Sequence, residues 1–467
     1  MPQAQVNRIA LPYHSDSALL FQSIRSQPYP ALLDSSSYPG PFGRFDILCA
    51  DPSQLLSHDN LQTTLTQRDG SSQILDALPF DALRQLLLDQ GFDGQTTPNL
   101  PFTGGALGYF SYDLGRCYAP LANLATDDIN QPQMQIGIYQ WAIIVDHQLQ
   151  CTTLVSHNLS DQQLQTVKER FSDSAAAKFS LTSPFQSNLD KDAYLKRFRQ
   201  VIDYIHAGDC YQVNLAQRFS CTYQGDPWCA YLALRRQTHT PFSAYLESPA
   251  GSLLSLSPER FLQVADSQVE TRPIKGTRPR HPLPEQDAQL KTELTNSVKD
   301  RAENLMIVDL LRNDLGRSCI TGSVRVPELF KIESYANVHH LVTAITGELA
   351  KPIDVIDLLQ GCFPGGSITG APKTRAMQII EELEPHRRSA YCGSIGYIGF
   401  NGGMDSNICI RTLVATQDKD PSKIQGQLHC WAGGGIVADS DGDAEYQETF
   451  DKVNNLIQCL EGRFLKP

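Results

Sequence analysis

No run in this 467-residue sequence approaches the ~18 apolar residues that a membrane-crossing helix needs. The N-terminal stretch "MPQAQVNRIALPYHSDSALLF" also lacks the charged-then-apolar order of a secretion signal. There is no Lys/Arg-rich run, and the formal net charge is −12, so a phosphate polymer is repelled and nucleic acid is excluded as a bulk partner. Twelve cysteines are present, but without CxxC pairs or Cys/His clusters, which leaves neither a disulfide framework nor a zinc site. Reduced thiols and a cytoplasmic location are expected. Internal repeats and low-complexity tracts are absent too. What remains is a chain with 41% hydrophobic and 19% charged residues, long enough for a large core.

The first third mixes short strand-like pieces, "FDILCADP", "GALGYFSYDLG" and "IGIYQWAIIVDHQ", with turn-rich connections. This N-terminal region is taken as residues 1–171, followed by a small, polar, linker-like segment over 172–190. From 191 to 467 the texture changes. "KDAYLKRFRQVIDYIHAGD" places Leu195, Phe198, Ile202 and Ile205 at helical spacing and stops at Gly208, and "CYQVNLAQRFSCTY" then alternates like a strand. Further strand-like runs, "GSLLSLSPERFLQVA", "YCGSIGYIGF", "SNICIRTLVAT" and "LHCWAGGGIVA", interleave with helices expected near 285–315, 371–384 and 441–461. That order mixes α and β within one large unit.

Several features of this unit carry possible chemistry. In "TRPIKGTRPR", Lys275 lies between Pro273, which fixes φ, and Gly276, which frees it. On these residues alone a tight turn with its lysine in water explains the pattern. "DRAENLMIVDLLRND" reads as a helix buried on nearly all sides, with Glu303 at its mouth; a link to Arg301 or Lys299 accounts for that carboxylate as well as a metal does. On the last helix Tyr446, Phe450, Val453, Ile457 and Leu460 form the apolar stripe, while Glu445, Glu448 and Lys452 share another, which a solvated ion pair also explains. "FPGGSITGAPKTRAM" is a Gly-rich turn into a helix start, a natural anion seat but without P-loop spacing. "CWAGGGIVADS" reads as three glycines in a turn after a strand. Arg411, in the middle of the strand "NICIRTLVA", needs a carboxylate partner from the protein or from a substrate.

Taken together, "SLSPERF", "TRPIKGTRPR", "DRAENLMIVDLLRND", "VHHLV", "FPGGSITGAPKTRAM", "GSIGYIGF", "IRTLV", "AGGGIVADS" and "EYQETFDK" occur in the order of the chorismate-utilising enzymes, and the chain resembles that family over essentially its whole length. The resemblance implies an α+β fold, a large mixed α/β sandwich of the anthranilate synthase component I type with interleaved N- and C-terminal regions. Within the family, anthranilate synthases carry alanine at the centre of "PIKGT", whereas the aminodeoxychorismate branch carries lysine, as here. Water-adding members have a lysine where this chain has Gln212. Ammonia is therefore the implied incoming group, with an anthranilate synthase large subunit or a catalytically silent homologue as the alternatives.

Carried over position by position, the resemblance makes Lys275 the nucleophile and Glu259 the general acid/base, with His340 beside them. It makes Glu303 and Glu448, with Glu445, the ligands of Mg²⁺ on the ring carboxylate of chorismate. Ser367, Thr369, Tyr397, Arg411, Gly434, Gly435 and Lys452 are the implied grip on substrate. "ALLDSSSYPGPFGRFDILCADP" is similar to the tryptophan pocket of related synthases, with Ser35, Arg44, Phe45 and Asp46 as its expected lining, although a plain strand and turn explains these residues equally. No cysteine lies on the Gly-rich elbow of a glutamine-hydrolysing nucleophile. A separate glutamine amidotransferase subunit is thus the expected source of ammonia from glutamine.

Overall fold

The computed structural model describes residues 6–465, apart from 37–39, 41, 60, 93, 95–99, 172–177, 336–337, 352–353 and 419–424. Part of the linker-like segment, 172–177, thus lies outside the described residues. Two large antiparallel sheets, of 13 and 12 strands, are each built from both ends of the sequence. In the first sheet the N-terminal strands end at Ala31–Asp34, which pairs antiparallel with Phe242–Ser248, placing Leu32 opposite Tyr245. In the second, Gly105–Phe110 pairs with Ser394–Gly399. The interleaving implied by the resemblance is thus realised as continuous hydrogen-bond ladders.

Strand alternation explains the layers. Trp141–Asp146 is buried on both faces: Trp141, Ile143 and Val145 pack with residues of the outer helices, while Ala142 and Ile144 pack with Leu107 and Tyr139 of the second sheet. The helix Gly442–Phe464 covers the first sheet through Val453, Leu456 and Leu460. The helix Val298–Gly316 lies over the second and buries Asn304, Ile307, Val308, Leu311, Asp314 and Leu315. That helix is buried on one side only, rather than on nearly all sides. Leu305 is exposed, and Asp309 pairs with Arg312 at the surface.

Two places where the chain changes sheets position the cleft. Gly251–Ser257 belongs to the first sheet and Arg260–Ala265 to the second, so Pro258 and Glu259 form a crossing. Met404–Asn407 and Thr412–Gln417 make the reverse crossing through residues 408–411. The expected strand "NICIRTLVA" is therefore broken, and Arg411 lies at the break with φ 50° rather than in mid-strand. The crossings are bonded to one another: Ile408 N donates to Glu259 O at 3.0 Å and Leu256 N to Arg411 O at 3.0 Å.

All twelve cysteines are free thiols, and no helix among the described residues is long and apolar enough to cross a membrane. The N-terminal strand Ala31–Asp34 is tied to the helix Pro227–Thr238 by a buried cluster in which Asp34 accepts from Tyr231 Oη at 2.7 Å and Arg235 Nη2 at 3.1 Å. Asp34→Ala removes the buried partner of that guanidinium and leaves it the more exposed Asp16 at 2.8 Å, so we expect a stability loss of about 3 kcal/mol in urea denaturation. A loss near zero would mean that this junction does not carry the interleaving.

Candidate active site

Lys275 lies in a β-bulge. Ile274 is opposite Val342 and Thr277 opposite His340, so three steps on one strand, Ile274–Pro279, face two on its neighbour Val338–Glu348. Bulges re-aim side chains, and Gly276, at φ +88°, supplies the backbone turn; a Cβ there would come within 2.9 Å of Asp300 and Leu294. The proline and glycine around Lys275 thus frame a bulge, not a surface turn. Its ammonium donates to the Ser367 carbonyl at 3.3 Å. Burial lowers its pKa; the charge of Glu303 opposes that shift and the charge of Lys452 adds to it.

Ser367 joins Lys275 to Glu259. Its hydroxyl donates to Glu259 Oε1 at 3.2 Å, while its carbonyl also accepts from Asn214 Nδ2 at 3.0 Å. Burial pushes the Glu259 carboxyl up to about 7, against the Lys275 charge and the Ser367 hydrogen bond. The guanidinium of Arg411 has no hydrogen bond or ion pair among the described residues, and burial alone lowers its pKa. His340 accepts or donates at Nδ1 with Thr277 Oγ1 at 2.8 Å, and burial pushes it down to about 3, with Arg411 and His339 adding to the shift, so it is a neutral imidazole at pH 7. Thr369, fully buried, donates to the Gly365 carbonyl at 3.0 Å and holds the Gly-rich turn.

The final helix brings a set of carboxylates to the same cleft. Glu445 is not on the solvated stripe: it is buried, with Thr449, Val453, Leu456 and Leu460 on the sheet-facing side. Its Oε1 accepts from Ser440 Oγ at 2.8 Å, and its Oε2 is buried without a partner. Glu448 pairs with Lys452 at 2.6 Å, and Lys452 also donates to the Gly433 carbonyl at 2.8 Å. Gly433, Gly434 and Gly435 lie inside the strand Gln425–Ile436 rather than in a turn after it. A Cβ on Gly434 would lie 2.5 Å from Glu445 Oε2 and 3.4 Å from Glu448 Oε1, and one on Gly435 2.6 Å from Gln212 Nε2. Glu303, across the cleft, has Lys299 at 3.9 Å; burial raises its pKa, and the charges of Lys275 and Lys299 oppose that shift.

These donors suit a hard cation. An orphaned carboxylate oxygen faces a cradle that only glycine leaves open, and all the candidate ligands are oxygens. Among the described residues no group of three ligand side chains encloses a metal position by itself. An all-oxygen donor set fits Mg²⁺, which takes one or two carboxylates and completes its shell with water and substrate oxygens.

Tyr397 does not join this cleft. It lies on Ser394–Gly399, packs edge-to-face on Phe102, and lines a second cavity of about 690 Å³ with Arg44, Phe45, Arg260 and Asp405. Of the residues expected around tryptophan, Arg44 and Phe45 line this cavity, but Ser35 and Asp46 do not. Along Phe45–Cys49 successive side chains alternate, so Asp46 points away, where it accepts from Ser35 N and Oγ at 2.7 Å and pairs with His147 at 2.8 Å. Asn214 is the cleft residue that the motifs missed. A second polar side chain two positions after Gln212 on an apolar strand was the available signal.

Residues 31–458 match the family model described as chorismate binding enzyme. The chain is 50% identical over 455 residues to aminodeoxychorismate synthase component 1 of Escherichia coli (strain K12), covering 97% of this chain and 98% of that protein. It is 38% identical over 373 residues to anthranilate synthase component 1 of Thermus thermophilus, covering 78% and 79%. Among solved structures, anthranilate synthase component I of Streptococcus pneumoniae TIGR4 superposes with a TM-score of 0.77 at 30% identity, covering 89% of this chain and 92% of that one. A family match across most of the sequence, joined to relatives that align from end to end, places this chain in the chorismate-binding enzyme family.

Proposed function

We propose that the chain is the synthase subunit that converts chorismate and ammonia to 4-amino-4-deoxychorismate, on the route to p-aminobenzoate and folate. The observation that carries this reading is Lys275 itself: a buried amine aimed by a bulge into the cleft and joined through Ser367 to a carboxyl that is half-protonated near neutrality. Half of all positions are shared with a protein named for this activity, against 38% with one named anthranilate synthase, which supports the same choice. Arg411, without a partner among the described residues, together with Lys275 and Lys452 suits a dianionic substrate in a protein of net charge −12.

In this reading Lys275 Nζ forms a bond to ring C2 as both ring double bonds shift, C1=C2 to C1=C6 and C5=C6 to C4=C5, and the C4–O bond breaks. Glu259 gives its proton to the departing hydroxyl, which leaves as water. Ammonia then bonds to C4, both double bonds return, the C2–N bond to Lys275 breaks, and the Glu259 carboxylate takes up the proton that ammonia sheds. Two conjugate displacements through the diene leave the amine where the hydroxyl was. Arg411 holds the enolpyruvyl carboxylate. Glu303, Glu445 and Glu448 would hold Mg²⁺, which when bound neutralises the ring carboxylate. Lowering the Lys275 pKa matters because only a free amine attacks.

Given chorismate and ammonia, the purified chain should form aminodeoxychorismate, and with glutamine as the only nitrogen source it should form none until a separate amidotransferase is added. Without ammonia, intact-mass analysis should reveal a chorismate-derived adduct that Lys275→Ala lacks. Anthranilate as product, or glutamine use by the chain alone, would sink the assignment. At constant neutral ammonia, turnover should fall as pH rises through about 7, where Glu259 loses its proton, and Glu259→Gln should lower kcat by about 10²–10⁴-fold.

Glu303→Gln and Glu448→Gln should each abolish Mg²⁺-supported turnover without lowering the melting temperature. Gly434→Ala, which forces a methyl group against Glu445, should raise the Mg²⁺ concentration required. Near-normal activity in all three variants would return these carboxylates to the role of a solvated ion-pair face.

The second cavity is proposed as an amino-acid site that fits tryptophan. Phe42, Phe45 and Phe242 offer aromatic walls, and the Arg260–Asp405 pair and Arg44, itself paired with Asp146, bring charges of both signs to the lining. Titration calorimetry with tryptophan should give heat that Arg44→Ala and Phe45→Ala weaken; no heat and no rise in melting temperature would remove the site.

A further inference from the structure

The strand Gln212–Gly225 pairs along most of its length with Gln425–Ile436, but on its other side the neighbours stop short. Gly370–Ala371 covers Gln212 and Val213, and Gln186–Ser187 covers Phe219 and Ser220. Over the gap, side chains take the place of a strand. Arg388 Nη2 donates to the Asn214 carbonyl at 2.7 Å, Ala216 N donates to Glu384 Oε1 at 2.8 Å, and Arg218 N donates to Asn188 Oδ1 at 2.8 Å.

Arg388 and Glu384 also bind each other, through Nε to Oε2 at 2.9 Å and Nη2 to Oε1 at 2.6 Å. The remaining terminal nitrogen, Nη1, donates to the Ile368 carbonyl at 3.0 Å. The guanidinium lies 4.8 Å from the Tyr112 ring and 5.7 Å from that of Tyr391, and Arg388 is only 1% exposed. A buried ion pair is rarely the most stable filling for a core. What this one supplies is direction: a planar fork joins three separate chain segments in one geometry.

Those segments converge on the cleft. Ile368 follows Ser367, whose carbonyl receives Lys275 Nζ and Asn214 Nδ2 and whose hydroxyl donates to Glu259. We propose that Arg388, with Glu384 as its buried counter-ion, is a positioning residue for the reaction: it clamps the Ser367 turn to the strand Gln212–Gly225 and thereby sets Lys275 and Glu259 relative to each other. This rests on the roles given to Lys275 and Glu259 above. Arg388 touches neither of them and acts through the turn.

The charged and titratable groups facing Glu259 are Lys275 on its bulged strand, Lys452 on the final helix and the Cys392 thiol, with Ser367 as hydrogen-bond donor. The Ser367 bond favours the ionised carboxyl, so a loosened turn raises the Glu259 pKa and moves the alkaline fall in turnover to higher pH.

Steady-state kinetics with chorismate and saturating ammonia should compare wild type, Arg388→Lys, Ser367→Ala and the double variant, with Glu384→Gln as a volume-preserving second probe of the pair. Lysine keeps the charge but not the fork. We expect kcat to fall by about 10²-fold, as misplacement of reacting groups does, with KM for chorismate little changed, the alkaline limb moved upward, and the losses of Arg388→Lys and Ser367→Ala less than additive. Variants whose activity loss merely follows their melting temperature, with the wild-type limb and additive effects, would overturn the proposal. An alkaline limb that persists in Glu259→Gln would instead overturn the underlying reading of Glu259, which keeps the two failures apart.

Discussion

Two chain segments change sheets side by side, and the rest of the cleft depends on the bonds between them. A residue passing from one sheet to the other leaves both ladders, so its main-chain groups need other partners. Here the crossings satisfy each other: Ile408 N to Glu259 O, Leu256 N to Arg411 O, and Ser257 Oγ to Ile408 O at 2.6 Å. The Glu259 carboxyl and the Arg411 guanidinium are thereby placed on adjacent, mutually bonded crossings. The positive φ of Arg411 is strained for a non-glycine residue and persists because its surroundings leave no alternative.

The same burial acts on every charge in the cleft. It lowers Lys275 and Arg411 and raises Glu259, Glu303 and Glu445, so each group is less content with its charge than it would be in water. Glu448 is the exception: burial pushes it up, but Lys452 outweighs that and holds it below the usual range. Such a cleft gains most from ligands that bring opposite charges together. The dicarboxylate and divalent cation proposed above would do that.

Periodicity and local chemistry made much of this legible. The helix ending at Gly208, the strand around Gln212 and the final helix were all readable from spacing. The constraint on Lys275 was visible in its proline and glycine, but the bulge was not, because a bulge exists only against a partner register that lies some sixty residues away in "VHHLV". Arg411 looked like mid-strand because apolar residues flank it, and nothing local announces a change of sheet. A solvated face remains an open reading for Glu445 in the sequence because Tyr446 and Phe450, which are only half-buried, draw the apolar stripe one position too far round the helix. Ser35 and Asp46 belong to one motif with Arg44 and Phe45, but a strand sends neighbours such as Phe45 and Asp46 to opposite sides. Tyr397 shows the same limit: a motif match gives sequence position, and only the sheet gives the side.

The interleaving of the two ends of the sequence also bears on how the protein is made. Synthesis runs from the N-terminus, and domains ordinarily fold as they emerge. Here Val6–Leu11 waits for Cys151–His157, Ala31–Asp34 waits for Phe242–Ser248, and the cleft waits for Glu445, Glu448 and Lys452 on the last helix. A nascent chain that stops just short of that helix already carries every described strand, yet it lacks Glu445, Glu448 and Lys452 and leaves the first sheet without the cover of Val453, Leu456 and Leu460. The last segment to be made thus both closes the core and completes the cleft.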